Sequence, residues 1–255
     1  MSTPESHATV ELGRIVGIPG PGAKANSRER RDLTIIPIDS NNCLVIACDS
    51  CGAVGGKAAD ILKLPPRYAA KFATRVALTE VMCAGAVPIA ITNGIISEMN
   101  PTGAEMIQAI GEEARLAGFP DIAITGSTEE NFPTAMTGLA ITVIGMCPTK
   151  DLRFAQAQAG DKFVLLGTPK VGAEVDLECA GFYKEIARLL QVPGVREIVP
   201  VGSKGVGYEI RNLAKLHGAD IEIYDTGVDL CKSAGPVSCL VVLCAEGLPT
   251  SANLR

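Results

Sequence analysis

Three loops in the first half of the chain concentrate the residue types that handle phosphate and divalent cations. The first runs Asp49-Ser50-Cys51-Gly52-Ala53-Val54-Gly55-Gly56-Lys57. Glycines let backbone N–H groups approach an anion and a lysine adds positive charge, so the segment suits a phosphate. It is not a P-loop, because Cys51 stands where GxxxxGK[ST] needs its first glycine and Ala58 where it needs the metal-binding hydroxyl. Taken alone, a glycine-rich turn is more often only a turn. The second segment is Thr79-Glu80, in a stretch otherwise made of Ala, Val, Met and Cys. A carboxylate there either reaches solvent or binds something. The third is Thr125-Gly126-Ser127-Thr128-Glu129-Glu130-Asn131, placed after an apolar run, where ligands of open α/β sheets tend to lie. Mg2+ takes oxygen ligands and bridges a few carboxylates to phosphate oxygens. Asp32, Asp49, Glu80, Glu129 and Glu130 supply such a site if the fold gathers them in one cleft; solvated loop carboxylates are the plain alternative.

The elements that must position these residues follow from periodicity and punctuation. Residues 1–31, rich in Gly, Pro and polar groups, read as a mobile loop. Leu33–Ile38 and Cys43–Ala47 are a strand pair joined by an Asp-Ser-Asn-Asn turn. Arg67–Ala84 has apolar residues at helical spacing and stops at Gly85, and Val87–Ile96 reads as a buried strand. Thr102 is placed to cap a helix over Gly103–Ala117, and strands follow at Ile122–Thr125 and Thr137–Met146. Beyond a polar linker, 148–160, strands are predicted at Lys162–Gly167, Glu197–Val201, Ile221–Tyr224 and Ser238–Cys244, with helices over Glu174–Leu190 and Tyr208–His217. The predicted architecture is α/β (α+β) in two domains, 1–147 and 161–255, the second smaller.

Composition narrows the classes of function. With 47% hydrophobic residues among 255 and only 4% aromatic, the core must be aliphatic, as when helices cover a sheet. The net charge of −5 is spread without runs of one sign, which argues against a nucleic-acid partner, since counterion release requires a basic face. The longest apolar stretch, Ala84–Thr92, is too short for a bilayer, and the N-terminal residues carry no apolar run suited to export. A cytoplasmic protein with no membrane partner is expected. The nine cysteines are scattered, mostly within apolar runs, and read as reduced core thiols. Cys48 and Cys51 form a CxxC with no second ligand pair, which favours a structural role over a redox or metal one.

Order and spacing together resemble the superfamily of aminoimidazole ribonucleotide synthetase, thiamine-monophosphate kinase, selenophosphate synthetase and the hydrogenase-maturation dehydratase. The matching positions are Arg31-Asp32, Cys48-Asp49, and Thr79-Glu80 followed by small residues and Gly85-Ala86-Val87-Pro88. Thr125-Gly126-Ser127-Thr128 stands at the GGDT-like loop, Gly138–Gly145 at the strand closing the first domain, and Ala159-Gly160-Asp161 with Phe163–Gly167 at the strand opening the second. Gly202–Gly207 resembles more faintly the glycine-rich turn before a helix. Two positions depart: Glu80 replaces the usual Asp of the helix pair, and Ser127 the acidic residue of the GGDT loop. Within the superfamily, Arg31–Pro37, Cys48–Lys57 and the Thr-Glu helix are most similar to the α-ribazole kinases.

The resemblance implies ATP and Mg2+ in a first-domain cleft formed with the partner subunit of a homodimer. It also implies transfer of the γ-phosphate to the 5′-hydroxyl of a nucleoside-like acceptor, α-ribazole. Asp32, Asp49 and Glu80 would hold the metal, with Glu129 as a further ligand. Gly52, Gly55, Gly56 and Lys57 would cradle phosphates, helped by Gly126, Ser127 and Thr128. Glu130 would orient the acceptor, or one of Glu129 and Glu130 would complete the metal site. A thiamine-monophosphate kinase or ligase reaction on the same fold is the first alternative; a non-catalytic nucleotide-binding protein, suggested by Ser127, is the second.

Overall fold

The computed structural model describes residues 8–18, 29–154 and 157–247. In chain order these form strands β1 (Thr9–Gly17), β2 (Glu29–Arg30), β3 (Leu33–Pro37), β4 (Asn42–Gly52), β5 (Val54–Gly55) and β6 (Leu62–Lys63). Helix α1 (Arg67–Cys83) and strand β7 (Val87–Ile95) follow, and a π-helical turn at Met99–Gly103 leads into α2 (Ala104–Leu116). Next come β8 (Ala123–Thr128), β9 (Gly138–Pro148), β10 (Lys162–Gly167), α3 (Tyr183–Leu189) and β11 (Val195–Pro200). The last elements are α4 (Val206–His217), β12 (Asp220–Ile223) and β13 (Cys239–Cys244).

Two sheets organise the chain. The first has order β2-β3-β4-β9-β7-β8, antiparallel except for the parallel pair β7–β8. The second, β11-β13-β10-β1-β12, is antiparallel throughout. Helix α1 is sandwiched between them: one side packs on β4 and β9, the other meets β11 and α3. A helix buried all round must be lined by small or apolar residues, and Ala69, Ala70, Ala73 and Ala77 let both sheets approach. Gly145 serves the same end on β9, because a Cβ there would lie 2.4 Å from Cγ1 of Val81. The second sheet is covered on one face by α3 and α1, through Val164, Leu166, Leu240 and Val242. On its other face α4 packs Val206, Ile210 and Leu213 against Phe163, Leu165 and Val241. The mixed architecture is the α+β arrangement that patterning predicts.

The structure differs from the sequence reading in four places. Thr9–Gly17, read as loop, is a strand, with Leu12 and Ile15 buried in the second core. It pairs with β10 and β12, so residues counted with the first domain are built into the second sheet. Glu174–Leu190 is helical only over Tyr183–Leu189 and a 3-10 turn at Gly172–Glu174. Between them Asp176 accepts the Glu178 N–H at 2.9 Å, while α1 takes two carbonyls, through Lys71 to Leu177 and Arg75 to Cys179. Local and tertiary partners for the backbone displace the helix there. Thr102 caps nothing; its hydroxyl bonds the Glu98 carboxylate. Finally, β4 runs through Asp49 to Gly52, so the first half of the expected phosphate loop is extended strand.

The face of the first sheet away from α1 is open and apolar. Register places Ile36 beside Leu44, Leu44 beside Met146 and Met146 beside Val87, in one cross-strand row. Ile36, Met146 and Val87 are all exposed.

Candidate active site

A cleft of about 500 Å3 is lined from both the first-sheet half of the chain and the half that carries the second sheet. Strand β4 carries Asp49 into it, α1 presents Glu80, and the turn between β2 and β3 presents Asp32. The half with the second sheet closes it with Pro200–Ser203, Ala234–Val237 and Glu209 from the first turn of α4. Loop residues Val171, Val175 and Leu177 add apolar wall, opposite Phe72, Ala73 and Val76 of α1.

The carboxylates strongly influence one another. Burial pushes Glu80 up to about 7; Arg31 opposes this, and Asp32, Glu209 and Asp49 add to it. Burial likewise raises Asp49 to about 6, against a backbone hydrogen bond at Ser50, with Asp32 adding repulsion. Glu209 rises to about 7 by burial, moderated chiefly by Arg31. One guanidinium therefore serves two acids, Glu80 and Glu209. Arg31 sits in the left-handed region, φ 58, and its side chain is buried. It lies 3.9 Å from Glu80, donates to the Ile198 carbonyl at 3.1 Å and stacks over Phe154. One carboxylate oxygen of Glu80 is buried with no hydrogen-bond partner. A buried acceptor left without a donor is costly unless something else satisfies it.

The remaining candidates form a second group. Lys57 pairs with Glu98 at 2.5 Å, and that contact with the Thr102 bond holds the Glu98 carboxyl down at about 2. Glu129 folds back on its own loop, accepting the N–H groups of Asn131 and Phe132, and Glu130 accepts the Thr128 hydroxyl and, from the turn before α2, the Met99 N–H. Ser127 and Thr128 lie on β8, a sheet edge. Gly126 is required by close approach, since a Cβ would fall 2.3 Å from the Asn93 carbonyl oxygen. Three strand spacings, roughly 14 Å, separate β4 from β8. The structure thus brings together Asp32, Asp49 and Glu80, and separately Lys57 with the Glu98–Thr102 turn; it does not bring Glu129 or Glu130 to the cleft carboxylates.

Of the glycines, Gly52 and Gly56 have open space where a Cβ would stand. Gly55 is enclosed: a Cβ would lie 2.2 Å from the Thr137 hydroxyl and 2.7 Å from Asp60. Asp60 is the anchor of this loop, accepting Lys57 N–H, Thr137 N–H and the Thr137 hydroxyl, each at 2.7 Å. Sequence reasoning missed it, although an acid three residues after Lys57 is the usual sign of a carboxylate closing a turn. It also missed Glu209, three residues into the helix after the Gly202–Gly207 turn, and the role of Arg31.

Cys48 and Cys51 point to opposite sheet faces, as residues three apart on a strand must. Cys48 is exposed, while Cys51 lines the cleft with its thiol pushed up by burial and by Asp49. Neither a disulfide nor a shared metal can join them, and all nine cysteines are free.

Among the described residues no three His, Cys, Asp or Glu side chains converge as a metal cage. Mg2+ is held by one or two carboxylates together with substrate phosphates and water, and the donors of Asp32, Asp49 and Glu80, with the unpartnered Glu80 oxygen, are of that kind.

The mixed sheet and α1, which carry three of the cleft acids, thus face the antiparallel sheet across the cleft. Residues 30–147 match the family "AIR synthase related protein, N-terminal domain". No curated protein sequence matches the chain. Among solved structures, PurL of Thermotoga maritima complexed with AMPPCP superposes with TM-score 0.58 at 15% identity, over 83% of this chain and 37% of that one. The HypE–HypF complex gives 0.60 at 17% identity, over 88% and 82%. AaThiL complexed with AMPPCP and TMP gives 0.57 at 12% identity, over 88% and 81%. The chain therefore spans well under half of the PurL chain, and about four fifths of the other two. No helix among the described residues is long and apolar enough to cross a membrane.

Proposed function

We propose that the chain is an ATP- and Mg2+-dependent small-molecule kinase that phosphorylates a hydroxyl of a nucleoside-like acceptor, α-ribazole in the closest reading. The observation that carries it is the interdomain cleft, with Asp32, Asp49 and Glu80 on one wall and a largely apolar wall bearing Glu209 opposite. AMPPCP in the related PurL and ThiL structures supports a triphosphate beside this fold.

In this reading Asp32, Asp49 and Glu80 would hold the cation, and the cation when bound would neutralise charge on the transferring phosphate. Phosphoryl transfer depends mainly on positioning and charge neutralisation. Arg31 keeps Glu80 in place and ties it to β11, so the acceptor wall and the acid wall keep a fixed separation. Asp60 fixes Gly55 and Lys57, which would orient the phosphates. Lys57 becomes available to an anion only by leaving Glu98, so nucleotide binding would exchange one ion pair for another. The apolar walls exclude water that would otherwise take the phosphate. Glu129 and Glu130 act in shaping the Ser97–Asn131 region, through the hydrogen bonds they already make.

The open apolar row Ile36–Leu44–Met146–Val87 supports a homodimer through the first sheet, since an exposed sheet face of this character is normally covered. ADP release measured with α-ribazole, with thiamine monophosphate and with no acceptor tests the reading. ADP formed only with α-ribazole agrees with it. Formation with thiamine monophosphate alone favours the sister kinase reaction, and nucleotide binding without turnover on either favours the non-catalytic alternative.

A further inference from the structure

The charges around the cleft are one-sided. Asp32, Asp49, Glu80 and Glu209 line it, and among the described residues no Lys, Arg or His does. Arg31 stands behind the wall with its side chain 3% exposed. Lys204, the nearest lysine in sequence to Glu209, lies over the Tyr208 ring at 4.4 Å. The acids from the first domain have a use in the reading above, as ligands of a cation on ATP. Glu209 does not. It is the one charged side chain that the second domain contributes to the lining, 8% exposed, set among Pro200, Val201, Ala234 and Val237.

A carboxylate in an apolar wall, with no cation beside it in the lining, can do two things to a ligand. It accepts hydrogen bonds from hydroxyl groups, and charge-assisted bonds of this kind are the strong ones. It also repels an anion more strongly than it would in water, because the local dielectric is low.

We propose that Glu209 is a specificity-determining residue, which selects an uncharged, hydroxyl-bearing acceptor with an apolar ring and rejects one that already carries a phosphate. The inference rests on the cleft's being the acceptor site of the proposed kinase. It adds a direction to the chemistry: the phosphorylated product, now anionic, binds more weakly than the acceptor it came from. It also separates the two sister reactions on this fold, since an acceptor that is itself a phosphate ester meets four acids and no lining cation.

The test uses the full chain at pH 8, where the Glu209 carboxyl is ionised. Binding of α-ribazole, of its 5′-phosphate and of an ATP analogue is measured by calorimetry, together with phosphotransfer, for wild type, Glu209→Gln, Glu209→Asp and Glu209→Lys; thermal melts verify folding. Wild type should bind the nucleoside at least tenfold more tightly than its phosphate. Glu209→Gln should weaken nucleoside binding by about 10- to 100-fold and leave the ATP analogue within twofold. Glu209→Lys should invert the preference in favour of the phosphate. Glu209→Asp, which keeps the charge and shortens the reach, should still reject the phosphate while binding the nucleoside less well. Equal wild-type affinities, or a folded Glu209→Gln with unchanged nucleoside affinity, would overturn the inference. If phosphotransfer occurs while Glu209→Gln is silent, the inference fails and the kinase reading stands. If the nucleoside binds with the stated dependence on Glu209 but is never phosphorylated, the reverse holds. If nothing binds, both fall.

Discussion

Arg75 on α1 donates from Nε to Oε1 of Glu113 on α2 at 2.7 Å, with both side chains out of reach of solvent. The Tyr183 hydroxyl donates to the same carboxylate oxygen at 2.7 Å, and the Cys179 carbonyl takes a further N–H of the guanidinium at 2.8 Å. One buried pair thereby fastens α1, α2 and the second domain together. Removing either partner leaves the other charge stranded, at about 3–5 kcal/mol. Arg75→Met should lower the denaturation midpoint accordingly, and the double variant Arg75→Met with Glu113→Leu should recover part of the loss. A single variant as stable as wild type would show that the pair fastens nothing.

Asp49→Asn should leave the melting curve near that of wild type and reduce turnover by about a thousandfold or more, if phosphoryl transfer depends on neutralised charge at this position. Full activity with a normal fold would remove Asp49 from the machinery.

Glu80 gives the metal-free protein a pH signature. Its carboxyl titrates near 7 in the fold, against an ordinary value of 4.5. Between those values the folded form holds a proton that the unfolded chain releases, so stability falls as pH rises across the interval and is lowest above 7. The full effect is on the order of 3 kcal/mol. Denaturation between pH 4.5 and 8 should show this decline, and Glu80→Gln should remove its share, leaving the part that Asp49 and Glu209, also raised by burial, contribute. A slope that the substitution leaves intact would assign it elsewhere.

Asp60→Ala removes three acceptor contacts beneath the Gly55–Lys57 turn. A cost of about 2–4 kcal/mol follows, with faster amide exchange confined to the turn and to Thr137. The KM for ATP should rise more than kcat falls, because the phosphate cradle is loosened while the cleft acids are not. Uniformly faster exchange across both sheets would show that Asp60 is a general core group instead.

Met146→Glu, or Val87→Lys, places a charge on the open face of the first sheet without touching α1. Sedimentation should then find monomer where wild type sediments as a dimer. A wild-type monomer, or a dimer indifferent to both changes, would leave that face to another purpose.

Much of the first domain was legible in the sequence because its strands and α1 are long and regular in pattern. The burial of Cys43, Val45 and Ala47 on alternate positions of β4 is what a half-buried strand writes into a sequence. The cleft acids were legible as types but not as a group, and here distance in three dimensions decided. Glu129 and Glu130 carry the same chemistry as Asp49, yet they follow a strand three places away in the sheet and are taken up by backbone N–H groups of Asn131 and Met99. Glu209 stood in the weakest part of the resemblance and had only its helix position to mark it. The strand at Thr9–Gly17 was hidden because its partners, Lys162–Leu166 and Asp220–Ile223, lie some 150 and 210 residues onward, and no local signal records a pairing of that range.

That pairing has a practical consequence. Because β1 is clamped between β10 and β12, the α1-bearing half is grafted into its neighbour and not threaded before it. A recombinant fragment starting near Asp161 would lack an inner rib and leave β12 unattached, so it should aggregate. A protease that nicks the connection after Pro148 should release neither piece under native conditions, because β1 of the first piece stays hydrogen-bonded between β10 and β12 of the second.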